Sequence, residues 1–222
     1  MALAKLLGIR PGVTAVIGGG GKTTLLRTLG EELAAGGKQV LLCTTTKILP
    51  FPGLPCARTG EELEALRREH RLLCAGTPVP GTEKLTAPET PMAELAARFG
   101  YVLVEADGAA RRPLKAHAPH EPVIPAEANQ TICVVGASGF GQPIADAAHR
   151  PERYAALAGA AETAEATPET EAAVLRAEAL HTRVYVNQVE TLWDLADAKA
   201  LAALLDCPVL AGSLQRGEYF PC

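Results

Sequence analysis

"VIGGGGKTTLL", residues 16–26, decides the fold. Four consecutive glycines are costly to order, because glycine loses the most backbone freedom on folding. The run must therefore serve something. Before it, Val13–Ile17 is a short apolar stretch of buried-strand type. After it, Lys22 to Ala35 reads as a helix, with Leu25, Leu26, Leu29 and Leu33 on one face and Gly36-Gly37 as the stop. A glycine loop between a strand and a helix that opens Lys22-Thr23-Thr24 is the context of a phosphate-binding loop. The amides of Gly18, Gly19, Gly20 and Gly21 can turn around an anion, and the helix N-terminus adds free N–H groups and partial positive charge. Lys22 can reach the β- and γ-phosphates, its head standing in solvent when no ligand is bound, and the Thr23 hydroxyl can ligate Mg²⁺. The usual pattern, G-x-x-x-x-G-K-[ST], puts its first glycine at Val16. Either the turn begins later, at Gly18, or valine is tolerated there.

Outward from this loop the chain alternates strands and helices. Strands are expected over Val40–Cys43, Arg71–Ala75, Tyr101–Glu105, Thr131–Gly136, Arg183–Val186 and Pro208–Ala211. Helices are expected over Gly60–His70, Met92–Phe99, Pro151–Ala158, Thr167–Leu180 and Leu192–Leu205, with Thr77–Pro91 a surface loop. Strands separated by helices imply parallel βαβ units. The expectation is an α/β P-loop NTPase fold of three layers, a mostly parallel central sheet flanked by helices, in a single domain over residues 1–222.

Composition narrows the partners. Hydrophobic residues make up 48% and charged residues 21%, as in soluble globular proteins. A net charge of −4 argues against nucleic-acid binding through phosphate contacts. No apolar run approaches the ~18 residues of a membrane span, and Lys5 and Arg10 interrupt the start as no signal-peptide core allows. The six cysteines form no C-x-x-C pair and read as reduced thiols of a cytoplasmic protein.

A triphosphate site needs an acidic group for its metal. "YVLVEADGAARRPLK", residues 101–115, places Glu105 at the end of an apolar strand and Asp107 just beyond. Glu105 would hold Mg²⁺ or its waters, and Asp107 would share that task or position the attacking water. Thr44, Thr45, Thr46 and Lys47 end the second strand, where hydroxyls either touch ligand or only terminate the strand. "RVYVNQVE", residues 183–190, follows the pattern of the guanine-reading N-K-x-D segment, with Asn187 and Glu190 as the base readers, and Ser213 in "VLAGSL" is a candidate for the loop over the base. Four prolines stiffen residues 113–125, which read as a solvated connector or as a lid in which Arg111 or Arg112 stabilises phosphoryl charge. Pro119 argues against a helical metal pair of His117 and His120.

Taken in order, "VIGGGGKTT", "TTTK", "VEADGAARRPLKAHAPHEPVIP", "HRPERY" and "VNQVE" resemble the YqeC-type selenium cofactor biosynthesis family, accessory proteins of selenium-dependent molybdenum hydroxylases. The resemblance runs from about residue 10 to 215, and its most specific block is the long one after Val104. It implies a P-loop NTPase, a molybdenum hydroxylase client, and a part in assembling or delivering a selenium cofactor. The order of parts also resembles the GTPases that insert nickel into urease and hydrogenase, although their Cys/His metal motifs are missing here. Two function classes follow. One is a Mg²⁺-dependent enzyme, a GTPase or ATPase, with an ATP-dependent kinase of a small cofactor precursor as its variant. The other is a nucleotide-gated binding protein with negligible turnover of its own.

Overall fold

A computed structural model describes residues 2–222 and divides them into two compact units whose segments interleave along the chain. The first comprises residues up to 16, 23–108 and 123–130; the second comprises 17–22, 109–122 and 131–222.

The first unit contains most of β1 (Gly12–Gly18), with β2 (Val40–Thr44), β3 (Cys56–Ala57), β4 (Leu72–Ala75) and β5 (Tyr101–Glu105). Their order is β1-β5-β2-β4-β3, and every neighbouring pair is parallel. Parallel strands are covered on both faces and so read as continuous apolar runs. That is why Val40–Thr44 is buried at every position. Helix α1 (Lys22–Ala35) buries Leu25, Leu26 and Leu29 completely. Helix α2 (Gly60–Glu69) starts at Thr59, whose hydroxyl accepts the Glu62 amide at 3.2 Å, and carries acids in its first turn and arginines in its last. Helix α3 (Met92–Phe99) buries Leu95 and Phe99 in a core with Leu41, Leu63, Val102 and Val104.

The second unit contains most of β6 (Ala128–Gly136), with β7 (Arg183–Asn187), β8 (Val209–Ser213) and β9 (Glu218–Pro221). Strands β6, β7 and β8 are parallel, and β9 returns antiparallel on β8. Helices α4 (Pro151–Ala158), α5 (Pro168–Glu178) and α6 (Leu192–Ala203) belong to it. Capping boxes Thr167/Thr170 and Thr191/Asp194 fix the starts of α5 and α6. The architecture is the expected α/β one: parallel strands, connecting helices, and a glycine loop between the first strand and the first long helix.

Some local expectations change. Within the surface loop of residues 77–91, Thr77–Pro78 pairs antiparallel with Leu85–Thr86. The final strand β9 was not expected, because four residues ending in proline give too weak a pattern. Helix α5 stops at Glu178, two residues early, where Ala179 turns left-handed. Among the described residues, no helix is long and apolar enough to cross a membrane.

Candidate functional site

Strand β1 ends at Gly18, where φ is +92°. Val16 lies inside the strand and is fully buried, so the turn begins at Gly18, the tighter of the two geometries. Close approach makes the glycines necessary. A Cβ on Gly19 would sit 2.5 Å from the Pro113 carbonyl oxygen and 2.6 Å from that of Arg112. One on Gly20 would lie 2.5 Å from the Gly136 backbone, and φ there is +71°. Side chains at these positions would displace main chain.

Two loop amides are used by the fold. Gly19 N–H donates to Val134 O at 2.9 Å and Gly20 N–H to Arg112 O at 3.1 Å. These bonds shape the loop and leave Gly21 and the first turn of α1, where helix amides have no intrahelical acceptors, as its candidate anion-binding amides. Asn187, at the end of β7, locks the loop from another side. Its Nδ2 donates to Gly20 O at 2.7 Å, and its Oδ1 accepts the Leu214 amide at 3.1 Å. Asn187 thus ties the glycine loop to the segment after β8, a positioning task that sequence spacing alone did not reveal.

Lys22 opens α1 with only 6% of its surface exposed, and its Nζ donates to Gly18 O at 2.6 Å. This corrects the expectation of a solvated lysine head. The ammonium lies folded over the loop, because the Gly18 carbonyl at the strand end is a strong acceptor within the reach of a side chain four residues on.

In the first unit, the exposed Thr23 donates its hydroxyl proton to Glu105 Oε2 at 2.8 Å. Glu105, at the end of β5, is buried, as is Asp107. The bond commits the Thr23 proton to the carboxylate and leaves the hydroxyl lone pairs for another partner. Thr44 is committed to ending its strand: its hydroxyl donates to Glu105 O at 2.8 Å and accepts the Thr46 amide at 2.9 Å. Thr45 donates to Val123 O at 2.6 Å. Thr24 is exposed at the start of α1.

Glu190, a candidate base reader, and Ser213, the candidate for the loop over the base, lie together in the second unit. Ser213 Oγ is 3.4 Å from Glu190 Oε1, a weak bond, and Arg216 is 3.5 Å from the same carboxylate. The Glu190 side chain is 40% exposed, and its backbone N–H is held by Asp194 at 2.9 Å.

Part of the proline-rich segment is buried rather than solvated. Leu114, Lys115, Ala116 and His117 are buried, and Leu114–Lys115 pairs in parallel with Ala148–His149. Lys115 meets Glu121 at 3.0 Å with none of its side chain exposed, and Arg150 also bonds Glu121. His117 Nδ1 lies 2.7 Å from Glu178. Nearby, the fully buried Glu171 accepts the Tyr154 hydroxyl at 2.8 Å, and burial raises its carboxyl to about 7. A chain so rich in paired charge looks exposed in sequence; only the partners explain its burial. Arg111 stands outside this network, exposed, with φ +62°. Arg112 bonds Asp146 O through its guanidinium and offers its own carbonyl to Gly20.

The YqeC protein family matches residues 14–152. The YqeC protein of Escherichia coli (strain K12) is 33% identical over 159 residues, covering 68% of this chain and 62% of that protein, so the match spans under two thirds of the relative's length. Among solved structures, the hydrogenase maturation factor HypB from Archaeoglobus fulgidus aligns with TM-score 0.45 and 10% identity, over 98% of this chain and 87% of its own. The signal recognition particle 54 kDa protein from Aeropyrum pernix K1, in complex with GDP, aligns with TM-score 0.44 and 17% identity, over 96% of this chain and 44% of its own.

Proposed function

This chain is a member of the YqeC protein family, and on that premise we propose that it is a Mg²⁺-dependent P-loop nucleoside triphosphatase that assists assembly or insertion of a selenium cofactor into a molybdenum hydroxylase. The proposal takes residues 1–222 as one cytoplasmic NTPase domain. The observation that carries it is the run from Gly18 to Thr23. A glycine loop closed by Lys22 is followed at once by a hydroxyl bonded to the strand-end carboxylate Glu105.

Hard oxygen donors suit Mg²⁺, which usually takes one or two protein ligands and completes its shell with water and phosphate oxygens. Thr23 and Glu105 supply that kind of donor set. When bound, the ion would neutralise charge developing on the phosphates. Lys22 would leave the Gly18 carbonyl for the phosphate oxygens, and the first-turn amides of α1 would orient the triphosphate. Asp107, two residues past Glu105 and buried, is proposed to position the attacking water. Arg111 is proposed to approach the phosphates only by a movement of its exposed loop.

GTP is proposed over ATP, on the pairing of Glu190 with Ser213 at the end of the β7 and β8 strands. The guanine N–H edge would take the Glu190 carboxylate, and Asn187 would hold that edge in register with the loop it already binds.

The test is nucleotide binding with a fluorescent GTP or ATP, in Mg²⁺, for the parent and Lys22→Ala. Binding should fall about a hundredfold, the ~3 kcal/mol of a lost charge-assisted contact. Equal affinity for the two proteins would remove the phosphate-loop assignment. Turnover measured with and without a purified molybdenum hydroxylase then separates an enzyme from a nucleotide-gated binding protein.

A further inference from the structure

Cys56 and Cys74 are direct register partners on neighbouring parallel strands, β3 and β4. Adjacent strands lie ~4.8 Å apart, and registered partners project to the same face. That separation falls inside the ~4.4–6.8 Å window between Cα atoms that a disulfide spans without backbone movement. The register sets the two thiols side by side. Strand β3 is the outer strand of its unit, and Cys56 is only half-buried, in a surface cleft with Arg58, Glu62, Ala65 and Leu66. Cys74 is buried behind it.

We propose that Cys56 and Cys74 form a reactive thiol pair that accepts low-molecular-weight disulfides, Cys56 as the attacking and Cys74 as the resolving thiol. The Cys56 thiolate attacks one sulfur of the disulfide. That S–S bond breaks, one thiolate leaves, and a mixed disulfide forms on Cys56. Cys74 loses its proton and attacks the Cys56 sulfur, which forms the Cys56–Cys74 bond and releases the second small thiol. Two protein thiols are oxidised by two electrons, and the small disulfide is reduced to two thiols.

The electrostatics agree with this division of roles. The neighbouring Cys74 side chain lowers the Cys56 thiol below its ordinary range, and Arg58 lowers it further, against burial and Glu62. Cys74 is raised by the neighbouring Cys56 thiol and by burial. The remaining thiols with a resolved shift move the other way: burial pushes Cys43 up to about 12 and also raises Cys207 and Cys222. A thiolate fraction at neutral pH therefore belongs to Cys56, and the thiolate is the nucleophile.

The experiment treats the full chain with oxidised glutathione at pH 7, quenches with acid and alkylating agent, and maps every cysteine by mass spectrometry over time. Cys56 should react about tenfold faster than the exposed Cys222. A Cys56–glutathione adduct should rise and decay into a Cys56–Cys74 disulfide, with two glutathiones released per chain. Cys74→Ser should stop at the adduct, and Cys56→Ser should leave Cys74 reduced. An adduct that persists on Cys56 in the parent, or Cys222 labelled first, would overturn the proposal; the parent time course alone decides this.

Discussion

Replacing Thr23 by valine removes one hydroxyl and almost nothing else. Threonine and valine have nearly the same shape and similar helix propensity. The lost group donates to Glu105 Oε2 at 2.8 Å. A hydrogen bond to a charged partner contributes ~1.5–3 kcal/mol when buried. Here the carboxylate is buried but the hydroxyl is exposed, so water replaces part of the loss and about 1 kcal/mol remains. For a chain of this length that lowers Tm by about 2–4 °C. The functional loss should be larger, because the same oxygen is the proposed metal ligand. The gain in nucleotide affinity on adding Mg²⁺ should shrink at least about tenfold, or ~1.4 kcal/mol, while affinity in EDTA changes little. Titrating a fluorescent nucleotide with and without Mg²⁺, for parent, Thr23→Val, Glu105→Gln and the double variant, measures both effects. If the pair acts as one unit, the two substitutions are non-additive by about 1 kcal/mol. An unchanged Mg²⁺ gain in Thr23→Val, beside the expected small drop in Tm, would make the pair purely structural and refute the metal assignment.

Other outcomes follow from the second unit. Glu190→Ala should weaken GTP about tenfold and leave ATP unchanged, the loss being moderated by the 40% exposure of that side chain; a GTP/ATP ratio unmoved by both this variant and Glu190→Asp would favour ATP. Glu171 should make stability depend on pH. Its folded pKa, raised to about 7 from 4.5 by burial, means that the folded chain keeps a proton which the unfolded chain has released. Stability is therefore fullest below about pH 4.5 and falls as pH rises toward 7, by roughly 3 kcal/mol at ~1.4 kcal/mol per unit. Glu171→Gln should keep the Tyr154 bond and lose that slope. Urea unfolding of both proteins at pH 5 and pH 8 checks this, and the same parent–variant difference at both pH values would show that Glu171 does not titrate there.

What the sequence determined by itself is local and periodic. The apolar run before Gly18, the leucine face of Lys22–Ala35 and the strand ending in Glu105 are set by neighbours a few residues away, and α1 and β5 have the expected bounds. Where one segment carries its candidate groups was legible for the same reason: a lysine and a hydroxyl open a helix after glycines, and an acid ends a strand. Only the tertiary structure decided where charges find partners. Lys22 looked solvated, and folds onto Gly18 O. Asn187 looked like a base reader, and its amide joins Gly20 to Leu214 across more than twenty residues on one side and far more on the other. Lys115 and His117 looked like part of a solvated, proline-stiffened stretch, and are buried against Glu121 and Glu178. Cys56 and Cys74 lie eighteen residues apart with no motif between them, and the register of two short strands sets them side by side. The physical reason is one of range. Hydrophobic period and turn chemistry act within a helical turn or a strand, whereas the cost of burying a charge or activating a thiol is settled by whichever distant group the fold brings within a few ångströms.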